Sequence, residues 1–263
     1  MAVKYREKWT RDETILALDL YCRTPFSKIA KENKAIQELA ELLGRTPSAV
    51  ALKMSNLAHH DPEVKARNLT GMSNGSKLDK EVFLEFTDNW GKLSYQAQQI
   101  KSKISKTEFV DLWKDNAVFD IEKIPPGEYK EYLIKTRIGQ IFFREAVLSS
   151  YGNRCCITGM KNSELLIASH IKPWKDSNSE TERTNPSNGL SLNALHDKIF
   201  DSGLMTIDKN YNIIYSKNLL NTTMDDDTKR WLLQYNGKKI SLPDRFYPGK
   251  RFIEYHNDIV FQG

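Results

Sequence analysis

The hydrophobic spacing of this chain changes period near Gly152, and that change limits what the chain can fold into. Before Gly152 the apolar residues recur at helical intervals. In TRDETILALDLYCR, Ile15, Leu16, Leu18 and Leu20 form an apolar stripe, and Thr10 or Asp12 can cap the helix. AIQELAELLGRTPSAVALKMSNLA reads as two helices broken at Gly44, the second opened by Thr46 as cap and Pro47 in its first turn. A loop rich in Gly, Asn and Ser follows from Asp61 to Asp79, then a helical stretch from Lys80 to Ile104, then a Pro-Pro-Gly break at Pro125 ahead of a long helix. After Gly152 the apolar residues come in short β-like runs, CCITG, LLIASHI, LMTID and YNIIYS, interrupted by the polar loop WKDSNSETERTNPSNG and a short helix LNALHDKIFDSG. A helical half followed by a small mixed half is an α+β plan.

The length of 263 residues suits two domains, and the pattern predicts a helical module over 1–100, a linker over 101–134 and a mixed domain over 135–263. With 40% hydrophobic and 28% charged residues, and no apolar run near the ~18–20 residues needed to span a bilayer, membrane and disordered classes are excluded. Three cysteines, Cys22, Cys155 and Cys156, form no disulfide framework, and MAVKYREKWT has no apolar signal core, so a cytoplasmic location is expected. The net charge of +5 permits a polyanionic partner without requiring one.

The helix pair around Gly44 has a helix-turn-helix outline, and from Trp9 onward the segment resembles Myb or SANT-like three-helix modules. If it meets DNA, the second helix would present Arg45, Ser48, Lys53 and Asn56 to phosphates and base edges. A helical bundle that only packs is the competing reading.

The chemistry-bearing residues lie after Gly152. His170 at a strand end can act as general base toward water, because an imidazole titrates near working pH and accepts a proton on one nitrogen while the other is held. Asn188 can fix the backbone around it, and His196 at a helix N-terminus can ligate a divalent metal. A base, an orienting amide and a metal ligand together make a one-metal nuclease.

ASHIKPW and NGLSLNALHDKIFDSGLMTID, preceded by FFREAVLSSYGNRCCITG, resemble the HNH endonucleases of ββα-metal fold, in wording close to the bacterial restriction-type and phage-defence subgroup. The resemblance implies that His170 is the general base, Asn188 the brace and His196 a metal ligand, with Mg²⁺, Mn²⁺ or a similar ion as cofactor and double-stranded DNA as substrate. Two departures stand out. Ser169 occupies the place where many such enzymes carry an Asp or His ligand, and the usual spacing from the central Asn lands on Asp197 rather than His196. The metal is therefore expected on His196, Asp197 or both, and Asp201, one helical turn further, is a third candidate. A structural zinc of two CxxC pairs is not expected, because the matching positions are Gly159, Leu192 and Leu195, and packing of Ile157, Leu192 and Leu195 is expected in its place. Arg144, Lys172, Lys175 and Lys198 suit a phosphate backbone, and Trp174 is expected either to anchor its loop or to contact the duplex.

These expectations converge on a metal-dependent DNA endonuclease of restriction or anti-phage defence. A homodimer offers one route to cutting both strands. The competing class is a DNA-binding regulator with a decayed nuclease site, which Ser169 keeps in view.

Overall fold

The computed structural model describes residues 7–66, 75–106 and 126–263; Pro125, the middle of the Asp61–Asp79 loop and much of the 101–134 segment lie outside the described residues. The chain divides into two compact units, Met1–Ala146 with Ser179–Asn185, and Val147–Asn178 with Pro186–Gly263. Helices dominate the first and two small sheets lie in the second, an α+β fold. Among the described residues no helix is long and apolar enough to cross a membrane.

The first unit is built on α1 (Arg11–Arg23), against which α2 (Lys34–Leu43), α3 (Pro47–Ala58), α5 (Lys77–Phe86) and α6 (Trp90–Ser105) pack, with the short α4 (Pro62–Ala66) between α3 and α5. Thr10 caps α1 in a reciprocal box with Glu13: the Glu13 amide donates to Thr10 Oγ1 at 3.2 Å, and the Thr10 amide donates to Glu13 Oε2 at 2.9 Å. Gly44 ends α2 at φ +65°, a left-handed conformation that favours glycine, and Thr46 then caps α3 with Pro47 at its first position. The stretch from Lys80 to Ile104 is two helices rather than one, because Asn89 accepts from the Lys92 amide at 2.9 Å and starts α6 afresh. Ile15, Leu18, Tyr21, Met54, Leu57, Phe86 and Leu93 are buried in the core of this unit.

Two residues assigned above to DNA contact lie in that interior instead. Arg45 is buried and donates to Glu13 Oε2 at 2.7 Å, while Lys53 is buried and donates to Asp79 Oδ1 at 2.6 Å. Both cations also face the Trp9 ring, with the Arg45 guanidinium carbon 4.3 Å and the Lys53 Nζ 4.9 Å from its centroid. A cation already desolvated, ion-paired and laid on an aromatic ring has no reach to a phosphate. Of the four residues expected to face DNA, Ser48 is exposed and Asn56 half-buried.

In the second unit, β1 (Leu166–His170) pairs antiparallel with β2 (Gly189–Asn193), so that His170 stands opposite Gly189 and Leu166 opposite Asn193. Helix α8 (Ala194–Asp201) follows β2 directly, completing a ββα unit, and β3 (Met205–Ile207) pairs with β4 (Ile213–Tyr215). The remaining helices of this unit are α9 (Lys217–Leu220), α10 (Asp226–Leu233) and α11 (Lys250–Tyr255), after α7 (Glu128–Ser150) has led into it. CCITG, expected as a strand, is a tight turn: the Cys155 amide bonds Met160 O at 2.9 Å, the Gly159 amide returns to Cys155 O at 2.9 Å, and Gly159 has φ +72°. The hairpin partner of LLIASHI is therefore GLSLN. Leu192 and Ile157 pack inward as expected, Ile157 against Leu148, Cys155 and Leu166, but Leu195 points out and is 46% exposed.

Because Asp79 is fully buried, removing its cation strands a desolvated carboxylate. Lys53→Ala is expected to destabilise the N-terminal unit by about 3–5 kcal/mol in chemical denaturation. A loss below about 1 kcal/mol, the value of an exposed pair, would show that the pair is solvent-screened.

Candidate functional site

Asn188 is fully buried at the end of a 3-10 turn, and its amide is saturated. Its Oδ1 accepts from the Lys172 amide at 2.8 Å, and its Nδ2 donates to Lys172 O and to Ser177 Oγ, each at 3.2 Å. The Ile171 amide adds a bond to Asn188 O at 2.9 Å. These bonds fix the turn that leaves β1 immediately after His170.

His170 lines a cleft of about 690 Å³ in this unit. Three stretches build the cleft: the end of β1 with its following turn, one face of α8, and the segment from Ile259 to Gln262. The half-buried His170 ring meets Trp174 edge-on, centroids 5.5 Å apart, so Trp174 both lines the cleft and limits the imidazole's rotation. The tail is held in place by the Gln262 amide on Gly203 O at 2.9 Å and by Gln262 Nε2 on Ser202 O at 2.9 Å. Gly203, at φ +69°, is required there, since a Cβ would come within 2.1 Å of Val260 O. None of the site residues expected from the sequence lies on this wall of the cleft.

The two sides of α8 differ in chemistry. Asp197 and Asp201 line the cleft, together with Lys198 and the strand residue Ser169. Asp197 is half-buried, and desolvation pushes its carboxyl above the usual range, opposed by the nearby Ser169 hydroxyl and the charge of Lys198. Asp201 is exposed as a residue, yet its carboxyl is also raised, first by partial desolvation and then by the charge of Asp197, with Lys198 opposing.

His196 does not line the cleft. Its amide and its Nδ1 both lie 3.0 Å from Asn193 Oδ1, and its ring packs against Tyr235 at 5.5 Å and Trp231 at 5.7 Å. Because a carbonyl oxygen only accepts, Nδ1 carries the proton, and Nε2 is a buried lone pair without a partner. Burial lowers its pKa to about 4. Of the two candidates left open by the sequence, Asp197 lines the cleft and His196 does not. His256 is a second buried imidazole with a structural role: it bonds Thr206 Oγ1 at 2.8 Å, stacks on Phe200 at 3.8 Å, and is lowered by burial to about 4.

Of the basic residues expected around the centre, Lys175 and Lys198 line the cleft, Lys172 lies with its Nζ 5.0 Å over the Tyr255 ring, and exposed Arg144 belongs to the other unit. Among the described residues no three His, Cys, Asp or Glu side chains converge tightly enough to hold a metal by themselves.

A hairpin running into a helix, with an imidazole and two carboxylates in the cleft between them, defines the class of centre in this unit. Residues 155–208 match the HNH endonuclease family model, and that segment holds His170, Asn188, Asp197 and Asp201. That segment of the C-terminal unit is thus similar to the HNH endonucleases. No curated protein matches the chain.

The buried imidazoles make stability depend on pH. His196 and His256 titrate near 4 when folded, against about 6.5 when unfolded, so between those values the unfolded chain binds more protons. Their contribution is complete above about pH 6.5 and declines as pH falls toward 4. Thermal unfolding should show the C-terminal transition moving down between pH 7 and pH 5, with a shallower fall in His196→Asn; identical slopes would place His196 in contact with solvent.

Proposed function

We propose that the C-terminal unit is a divalent-metal-dependent DNA endonuclease centre. The observation that carries this reading is the convergence of His170, Asp197 and Asp201 on one cleft, inside the segment that matches the HNH family, with the turn after His170 clamped by Asn188.

In this reading His170 accepts a proton from the attacking water, while the edge of Trp174 holds the ring in its working orientation. Asn188 acts through the backbone of Lys172 and keeps the base from swinging out with its loop. Lys175 and Lys198 at the cleft bind phosphate oxygens on either side of the scissile bond. The donors suit a hard cation: two carboxylates with raised affinity for positive charge, in a cleft open enough for the water and phosphate oxygens that Mg²⁺ or Mn²⁺ retains. Asp197 and Asp201 would hold that ion, which when bound supplies charge neutralisation at the scissile phosphate and at the leaving oxygen. His196 keeps the N-terminus of α8 packed and stays outside the chemistry.

The biological setting we infer is restriction or phage defence, supported by the likeness of SHIKPW and LHDKIFD to that subgroup. With one such centre per chain, a duplex is cut by two copies or in two visits.

Plasmid cleavage with Mg²⁺ or Mn²⁺ tests the reading. Wild type should cleave, His170→Ala should lose about 10²-fold or more in rate, as for removal of a general base, and folded His196→Asn should keep most of its rate. Absence of cleavage on modified and unmodified phage DNA alike, with DNA binding intact, would leave the regulator reading in possession.

A further inference from the structure

Among the described residues, Ile259 is the one large apolar side chain that stands exposed on the wall of the cleft, at 65% exposure. A single exposed apolar residue is ordinary on a surface, but this one is carried by a turn fixed at both ends. Ile259 lies in the π-helical turn His256–Val260, closed by the Phe261 amide on His256 O at 2.8 Å. At the start of the turn, the buried His256 ring stacks on Phe200 and bonds Phe200 O at 3.2 Å as well as Thr206 Oγ1. Beyond its end, Gln262 holds Gly203 O and Ser202 O. A β-branched side chain is stiff at χ1, so Ile259 keeps its direction at little further cost in entropy.

The charges around Ile259 leave room for a polyanion. Lys175 and Lys198 line the same cleft, whereas Glu254 and Asp258, the carboxylates nearest to Ile259 along the chain, do not. Glu254 pairs with Lys209 at 2.9 Å, and Asp258 adds its charge to the same ammonium. Of the carboxylates that do line the cleft, Asp197 and Asp201 are those read above as holding a cation, and Asp176 accepts from the Tyr255 hydroxyl. Trp174 is held edge-on against His170. Ile259 thus offers a bound duplex an apolar surface without a hydrogen-bonding group, which engages stacked bases rather than their donor and acceptor edges.

We propose that Ile259 is a wedge that enters a base step of bound duplex DNA beside the cleft and partly unstacks it, so that cleavage favours steps that open easily. The proposal rests on the endonuclease reading for the identity of the cleft. Pyrimidine–purine steps (TA, CA and TG) unstack readily while A-tracts are stiff, and an inserted apolar side chain converts that difference into sequence preference without a base-edge contact. Ile259 lies outside residues 155–208, so this preference belongs to the tail of the chain rather than to the hairpin and α8.

The test compares the full chain with Ile259→Ala, Ile259→Leu and Ile259→Lys, each verified as folded by circular dichroism. Binding is followed in chelator, where no cleavage interferes, on duplexes carrying 2-aminopurine within repeated TA steps or within an A-tract. Wild type should brighten the TA duplex as it binds and leave the A-tract dim, and Ile259→Leu should do the same. Ile259→Ala should bind the TA duplex about 10-fold more weakly, the order expected for losing the buried part of one apolar side chain, and should not brighten it. Ile259→Lys should bind without brightening, since an added cation contacts phosphate and does not unstack bases. Undiminished brightening in Ile259→Ala or Ile259→Lys, or a wild type that fails to bind or to brighten the TA duplex, would each overturn the proposal. Mapping the cut positions with Mn²⁺ present separates it from the function it rests on. Wild-type cleavage with the same step preference in Ile259→Ala removes the wedge and spares the endonuclease reading, whereas Ile259-dependent brightening by a protein that cleaves no DNA does the reverse.

Discussion

The C-terminal centre depends on the buried amide of Asn188. A side chain with one acceptor and one donor group reaches both polar groups of Lys172 and the hydroxyl of Ser177, so the turn after β1 is closed onto the start of β2. Without that clasp, the polar turn carrying Trp174 and Lys175 would lose the side-chain bonds that tie it to the start of β2, and the five paired residues of the hairpin give little stability by themselves. With it, the imidazole of His170 stands at a fixed distance from α8, because β2 runs into that helix through the Asn193 cap. The hairpin, the clasp and the cap form one continuous covalent and hydrogen-bonded path from base to carboxylates.

Much of this was legible in the sequence. Local rules placed the caps at Thr10 and Thr46, the left-handed break at Gly44, and the helix beginning beside Asn193. They failed at CCITG, where β-branched and small apolar residues suggested a strand but Gly159 and two backbone bonds close a turn. Propensity alone does not register such closure. At α8, the residue type pointed to His196 while the spacing pointed to Asp197. The imidazole of His196 packs against Trp231 and Tyr235, away from the cleft that Asp197 lines. Those aromatics lie far along the chain, and no local pattern ties them to His196.

The N-terminal unit shows the same limit in its electrostatics. Arg45 and Lys53 have the spacing and charge of a recognition helix, but Glu13 and Asp79, distant in sequence, draw both into the interior beneath Trp9. A lysine on a helix reads as solvated until its counter-ion is placed by the tertiary fold. With those cations internal, α3 presents Ser48 and Leu52 to solvent, a surface of different character from a basic groove reader.

The central claim is that the cleft face of α8, not its buried imidazole face, is where a metal ion meets the scissile phosphate. Anomalous scattering from a crystal of the protein grown with Mn²⁺ addresses this directly. A peak is expected between the carboxylates of Asp197 and Asp201 in the cleft lined by His170. A peak at His196 Nε2, with those carboxylates unligated, would contradict it.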